Sequence, residues 1–335
     1  MTVRVGINGF GRTGRAFFRA VNGSELGLEI VAVNDLASPE SLARLLMRDS
    51  VFGRFGAPVN VEGDVMIAGG QRVQMVKEPE VKALPWSALG VDVVVEATGR
   101  YTARDAAAAH LDAGARRVVV SAPSKGADAT FVMGVNDDTF DPATHFVVSN
   151  ASCTTNCLAP MAKVLDDAFG LEQGFMTTVH AYTGDQQLVD SVHKDPRRAR
   201  AAALNIVPTT TGAARAAGEV LPHLAGRLNG ISLRVPVADG SMTDFVATLR
   251  EAPSVDEVCA AFREAAAGGP LAGRLEYSEE PLVSTDIIGS TASCVFDASL
   301  TMATGHVVKV LGWYDNEYGY ANRLAELVAK VGAAR

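Results

Sequence analysis

The chain has 335 residues, 48% of them hydrophobic and 20% charged, with a formal net charge of −8 at pH 7. That is long for a single core, so two domains are expected of an otherwise ordinary globular composition. The acidic balance argues against nucleic-acid or polybasic membrane binding, no apolar run reaches bilayer-spanning length, and four cysteines make no disulfide framework.

Met1 to Ile7 begins a strand and lacks the long apolar core of a signal peptide. No pair of Cys or His residues has ligand spacing, so no metal site is expected, and a reducing cytoplasm fits the cysteine usage. Val3 to Asn8 reads as a strand running into Gly9-Phe10-Gly11-Arg12-Thr13-Gly14, and Arg15 to Val21 has a helical pattern. Glycines at this spacing permit a tight turn and let backbone close on a pyrophosphate at the helix N-terminus. A second strand, Glu29 to Asn34, ends in Asp35, about 20 residues past the last glycine, where an acid can hold a ribose 2′-hydroxyl. The same carboxylate repels a 2′-phosphate, which favours NAD over NADP.

The alternation continues with a helix over Leu42 to Met47 and short strands within 58–76. A buried strand over Val91 to Glu96, an Ala-rich helix over Thr102 to Ala113, and strands over Arg117 to Ser121, Phe131 to Asn136 and Phe146 to Val148 follow. Such alternation predicts a doubly wound parallel sheet with ligands at the C-terminal strand ends, where Thr98, Gly99 and Ser121 lie.

The next stretch, Ser149-Asn150-Ala151-Ser152-Cys153-Thr154-Thr155-Asn156-Cys157, hands a strand over to an amphipathic helix through Leu165. Free N–H groups and the helix dipole at such a junction lower a thiol pKa and favour thiolate. A cysteine in general is more often an inert core residue; the polar neighbours are what set this one apart. Pro160 inside the helix predicts a kink, at a propensity cost of about 3 kcal/mol.

Beyond the helix, longer strands with fewer crossovers suggest an α+β domain with a mixed or antiparallel sheet. Strands are expected over Phe175 to His180, Ile231 to Pro236, Thr243 to Leu249, Thr291 to Phe296 and Val307 to Tyr314, with a helix over Val255 to Ala266. A polar loop of about 182–203 carries the basic cluster His193 to Arg200, read either as a solvated surface or as an anion or subunit contact. Pro208 to Ala214 opens a helix whose hydroxyls suit phosphate binding or simple capping. Arg234 on an apolar strand calls for an anion. Cys259 and Cys294 read as core, and Leu324, Leu327, Val328 and Val331 share one face of a terminal helix.

Taken together, Ile7 to Arg12, Ser149 to Cys157, His180-Ala181-Tyr182-Thr183, His193-Lys194-Asp195, Pro208 to Ala214, Arg234-Val235-Pro236 and Trp313 to Glu317 make the chain resemble the phosphorylating glyceraldehyde-3-phosphate dehydrogenases along essentially its whole length. The resemblance implies NAD-dependent oxidation of glyceraldehyde 3-phosphate to 1,3-bisphosphoglycerate. Cys153 would be the nucleophile, forming a thiohemiacetal and then a thioester, with His180 as base. Thr183, Arg234 and Arg200 would hold the substrate phosphate; Ser152, Thr154, Thr211 and Gly212 would receive the attacking phosphate. Gly9, Gly11, Arg12, Thr13, Gly14, Asp35, Lys77, Ser121 and Asn316 would contact NAD. It further implies a cytoplasmic homotetramer, an NAD-binding domain of residues 1–151 plus 316–335, and a catalytic domain of 152–315.

The chain departs from the family pattern in places. Gly184 replaces an Asn, Ser191-Val192 replace the Leu-Pro that helps exclude NADP, Arg215 replaces a Lys, and Val237 to Ser241 lacks the usual Pro-Asn. Weak NADP turnover is therefore expected. The competing readings are an erythrose-4-phosphate dehydrogenase, with water as acyl acceptor, and a non-catalytic NAD-binding protein using Cys153 as a redox sensor.

Overall fold

Val3–Asn8 is the central strand of a nine-stranded sheet in the computed structural model, which describes residues 2–334. It pairs in parallel with Leu28–Asn34 on one side and Val93–Glu96 on the other, so chain connections leave it in opposite directions. That is the topological switch point at which open α/β sheets bind ligands. Outward from Val93–Glu96 come Arg117–Val120, Val147–Ser149 and Ala129–Thr130, all parallel. On the other side Gln71–Val76 is parallel to Leu28–Asn34, and Val65–Ala68 and Val59–Glu62 extend the edge antiparallel. The central strands read as near-continuous Val and Ile because they are buried, as Val5, Ile7, Val94, Val119 and Val120 are.

The chain divides into two compact units: one holds the residues through Phe131, Thr139–Ala151 and those from Ala321 onward, the other Val132–Asp138 and Ser152–Tyr320. The helix Tyr318–Ala333 returns the chain to the first unit and buries Leu324, Leu327, Val328 and Val331. A Cβ on its Gly332 would fall 2.3 Å from Val3, which shows how closely it lies on that sheet.

The second unit is built on a mixed sheet in the order Val207–Thr210, Leu228–Val235, Leu171–Ala181, Ser241–Leu249, Val307–Tyr314, Cys294–Asp297, Leu275–Ser278. Leu171–Ala181 and Leu228–Val235 run parallel, whereas Ser241–Leu249 pairs antiparallel with both of its neighbours. The helix Cys153–Phe169 lies close on this sheet. A Cβ on Gly312 would meet Cys294 Sγ at 2.5 Å, Met161 Sδ at 2.8 Å and Cys157 Sγ at 3.1 Å, so only glycine admits the helix there.

Three expectations need correction. The apolar run 131–136 is not a strand: pairing stops at Ala129–Thr130, and Gly134 (φ 83°) and the Asn136 side chain, which accepts the Val132 N–H, make a turn that buries Phe131, Val132 and Met133. The Ala-rich helix is two short pieces, Arg104–Ala107 and Ala109–Asp112, tightened where the N–H groups of Leu111 and Asp112 both reach the Ala108 carbonyl. Cys294 is core, but Cys259 is only half-buried, its Sγ 3.9 Å from the Ala298 carbonyl.

Candidate active site

The cysteine sits where the chain changes direction. After the strand Val147–Ser149, Ala151 adopts φ 54°, the one positive φ outside glycine among the described residues. An L-residue there is strained by about 1–3 kcal/mol, and the Ser149 hydroxyl steadies the turn by accepting the Ala151 N–H at 3.0 Å. Ser152 then caps the helix, its Oγ accepting the Thr155 N–H at 3.0 Å, and Cys153 is the first helical residue. The helix runs through Pro160 to Phe169 as one element.

His180 reaches this point because of the two-residue period of its strand. Met176, Thr178 and His180 lie on one face of Leu171–Ala181 and are all buried. His180 Nε2 lies 3.4 Å from Cys153 Sγ. Its Nδ1 lies 2.7 Å from the Ala181 carbonyl, and the tautomer that donates there has Nε2 free to accept a proton from sulfur. Arg234 is the register partner of His180 on the neighbouring strand. Its Nη1 stands 2.6 Å from Nδ1 and donates to the Ala181 carbonyl at 3.1 Å, while its buried Nε has no protein partner. A guanidinium with an unused buried N–H is a ready anion site.

The electrostatics correct one expectation. Burial pushes the Cys153 thiol up to about 11; the Arg234 charge and the helix-start N–H groups pull it down but do not overcome burial. Burial and then the Arg234 charge push His180 down to about 3. The pair is therefore a neutral thiol facing a neutral imidazole. The dipole at the helix start does not by itself make a thiolate, and a base is required.

Tyr314 is a site residue that the sequence reading missed. Its hydroxyl bridges the Thr154 and Thr178 hydroxyls, 2.8 Å from each, and its ring packs edge-on against His180 with centroids 5.9 Å apart. Its place in the Trp313 to Glu317 motif was the available signal. Thr154 is buried, with its hydroxyl bonded to Tyr314 and to Cys153. Thr211 Oγ1 accepts the Ala213 N–H at 3.2 Å, and Gly212 caps the helix Ala213–Val220. Thr155 Oγ1 reaches the Ala213 carbonyl at 3.5 Å, tying that helix start to the cysteine helix. Thr183 bonds Asp185, which pairs with Arg198. Arg200 is half exposed and paired with Asp190 at 2.9 Å, and Asn316 accepts the Ser241 hydroxyl at 2.6 Å.

In the first unit, a cleft of about 310 Å³ opens at the switch point, lined by Gly9, Gly11, Asp35, Pro79, Thr98 and Tyr101 among others. A Cβ on Gly14 would stand 2.2 Å from the Gly9 carbonyl, whereas one on Gly11 would meet nothing within 4 Å, so the loop packs tightly below and is open above. Asp35 accepts N–H bonds from Phe10 at 2.8 Å and Ala37 at 3.0 Å, and its remaining lone pairs are available to a ribose. These residues fit a dinucleotide. Arg12, Thr13, Lys77 and Ser121 are not in the cleft wall. Arg12 pairs with Asp49 at 3.1 Å, and Ser121 donates to the Glu96 carbonyl at 2.9 Å.

Comparison with known proteins accords with this geometry. The family model described as "Glyceraldehyde 3-phosphate dehydrogenase, NAD binding domain" matches residues 3–104, and that of the C-terminal domain matches 152–316. The chain is 58% identical over 330 residues to a glyceraldehyde-3-phosphate dehydrogenase of Kitasatospora aureofaciens, covering 98% of this chain and 99% of the relative. It is 56% identical over 334 residues to glyceraldehyde-3-phosphate dehydrogenase 2 of Streptomyces arenae, covering 100% of both. It is 54% identical over 334 residues to a glyceraldehyde-3-phosphate dehydrogenase of Geobacillus stearothermophilus, covering 99% of each. The chain belongs to the glyceraldehyde-3-phosphate dehydrogenase family.

Proposed function

We propose that this protein oxidises D-glyceraldehyde 3-phosphate to 1,3-bisphosphoglycerate with NAD and inorganic phosphate, using Cys153 as nucleophile and His180 as base. The observation that carries the reading is the Cys153–His180 contact at 3.4 Å beside Arg234, a cation with a buried unpartnered N–H. Sγ adds to the aldehyde carbon as its proton passes through Nε2 to the carbonyl oxygen, leaving a thiohemiacetal and a neutral imidazole. His180 then takes the hydroxyl proton, and when bound NAD supplies the hydride-accepting chemistry that makes the product a thioester. A phosphate oxygen attacks the acyl carbon and Sγ leaves. A substrate phosphate at Arg234 also offsets the charge that holds His180 acidic, so binding makes the base stronger. Gly9, Gly11, Gly14 and Asp35 hold the dinucleotide, with Arg12, Thr13, Lys77 and Ser121 around them, while Asn316 takes the carboxamide. Ser152, Thr154, Thr211 and Gly212 serve the attacking phosphate, and Thr183 and Arg200 the substrate phosphate. The residues 1–151 with 316–335, and 152–315, act as the cofactor and catalytic domains.

A cytoplasmic homotetramer is the assembly we favour. Leu188, Val192 and Leu204 are each more than 80% exposed on the loop of 182–206, a surface that suits a subunit contact. Among the described residues no helix is long and apolar enough to cross a membrane.

Steady-state kinetics with NAD and NADP, with and without phosphate, test the reading. Phosphate-dependent NADH formation that disappears in Cys153→Ala, with slower turnover on NADP, is expected. Phosphate-independent turnover, or full activity in Cys153→Ala, would overturn it.

A further inference from the structure

Between the strand that carries Arg234 and the strand Ser241–Leu249 lies a short turn whose Asp239 is 2% exposed. Asp239 Oδ1 accepts the Gly240 N–H at 2.8 Å, but its buried Oδ2 has no donor, and the pairing of Ser241 with Tyr314 brings the Asp315 carboxyl next to it. Asp315 is 1% exposed and already accepts three backbone N–H groups, from Gly289 at 2.8 Å, Glu317 at 2.9 Å and Tyr318 at 2.7 Å. Two ionised carboxylates are acceptors only and repel; a single proton between them supplies the missing donor. Because Asp315 has the donors that stabilise an anion, the proton belongs on Asp239.

The turn is rigidly placed. A Cβ on Gly240 (φ 82°) would fall 2.1 Å from the Ser284 carbonyl. The next residue, Ser241, donates to Asn316 at 2.6 Å and accepts the Ala181 N–H at 3.1 Å, one residue from His180. We propose that Asp239 is a positioning residue: protonated, it bonds the Asp315 carboxylate and holds Ser241 against Asn316, and its ionisation loosens that contact as pH rises.

The surrounding charges leave it no other partner. Glu317 adds further negative charge beside the pair. Asp286, on the turn packed against Gly240, accepts the Val283 N–H, and Arg234 is directed at His180 and the Ala181 carbonyl. No basic side chain forms an ion pair with Asp239 or Asp315 among the described residues. Burial, then the charges of Asp315 and Glu317, push Asp239 up to about 8, which places the change just above neutrality.

The shared proton rests on the burial of both carboxyls, the donorless Oδ2 and the strand register, whereas the consequence for cofactor binding rests on the role proposed for Asn316. The test uses the full-length protein and Asp239→Asn, whose amide N–H replaces the proton permanently. Melting temperature and KM for NAD are followed from pH 6.5 to 9.5. In the wild type the melting temperature is expected to fall up to about pH 8 and level off above it, KM for NAD to rise at least threefold across pH 8, and Asp239→Asn to flatten both changes. Asp315→Asn, which replaces a backbone-bonded anion, melts lower at every pH. Equal pH slopes of melting temperature in wild type and Asp239→Asn would overturn the shared proton; a flattened melting slope with an unchanged KM profile would overturn the positioning role. Should the protein turn over no aldehyde, the proposed function fails while the melting comparison still decides the pair.

Discussion

Asp35 has two separable tasks, and substitution distinguishes them. Its carboxylate accepts the N–H of Phe10 at 2.8 Å, and Phe10 is fully buried, so no water can replace that acceptor. Leaving such a donor unsatisfied costs about 1–3 kcal/mol. The Ala37 N–H, on an exposed residue, regains water at little cost. Asp35→Ala should therefore lower the melting temperature by several degrees, while Asp35→Asn, which keeps one acceptor oxygen for Phe10, stays near the wild type. In the function proposed above, the charge sets cofactor choice. A ribose hydroxyl bonded to a carboxylate gains about 1.5–3 kcal/mol, and like charges about 4 Å apart repel by about 1–4 kcal/mol at effective dielectrics between water and protein surface. Removing both effects should cut the ratio of kcat/KM for NAD over NADP by at least tenfold in Asp35→Asn. The assay is parallel initial-rate kinetics with both cofactors, plus calorimetry on the three proteins. An unchanged cofactor ratio in Asp35→Asn, or an unchanged melting temperature in Asp35→Ala, would refute the reasoning.

Gly14→Ala drives a methyl to 2.2 Å from the Gly9 carbonyl, so it should cost about 1–3 kcal/mol of stability and weaken NAD binding, checked by melting and by cofactor titration. Tyr314→Phe removes one partner from the Thr154 hydroxyl, which keeps Cys153, and leaves Thr178 its bond to the Met242 carbonyl, so about 1 kcal/mol should be lost in denaturant unfolding. Burial pushes the Asp49 carboxyl up, but the N–H groups of Phe52 and Val51 and the Arg12 guanidinium outweigh it and hold it below its usual range. A depressed carboxyl stabilises above its unfolded value, and that contribution is lost as pH falls through the folded one. Asp49→Asn should thus melt below wild type at pH 7, with the gap closing under acid; a gap that persists at pH 3 would contradict this.

The chain's own order of residues determined most of the frame. Strand, glycine turn, helix and the acid of Asp35 are local in sequence, so fold class and cofactor type were legible before any coordinates. The Ser149–Cys157 stretch was legible for the same reason: capping and strand-to-helix handover act over a few residues. What lay beyond reach was anything set by register or burial. A two-residue period tells which face His180 occupies but not that Arg234 stands opposite, which the pairing of two distant strands decides. The Phe131 to Asn136 run was apolar enough for a strand, yet its burial is satisfied by a turn. The thiol was expected to be acidic from its helix start, and burial by surrounding elements reversed the sign. Asp239 and Asp315 are far apart in sequence, and only the packed second unit buries both. Short-range geometry is written in neighbouring residues, whereas desolvation is a property of everything packed around a group, and that exists only in the folded protein.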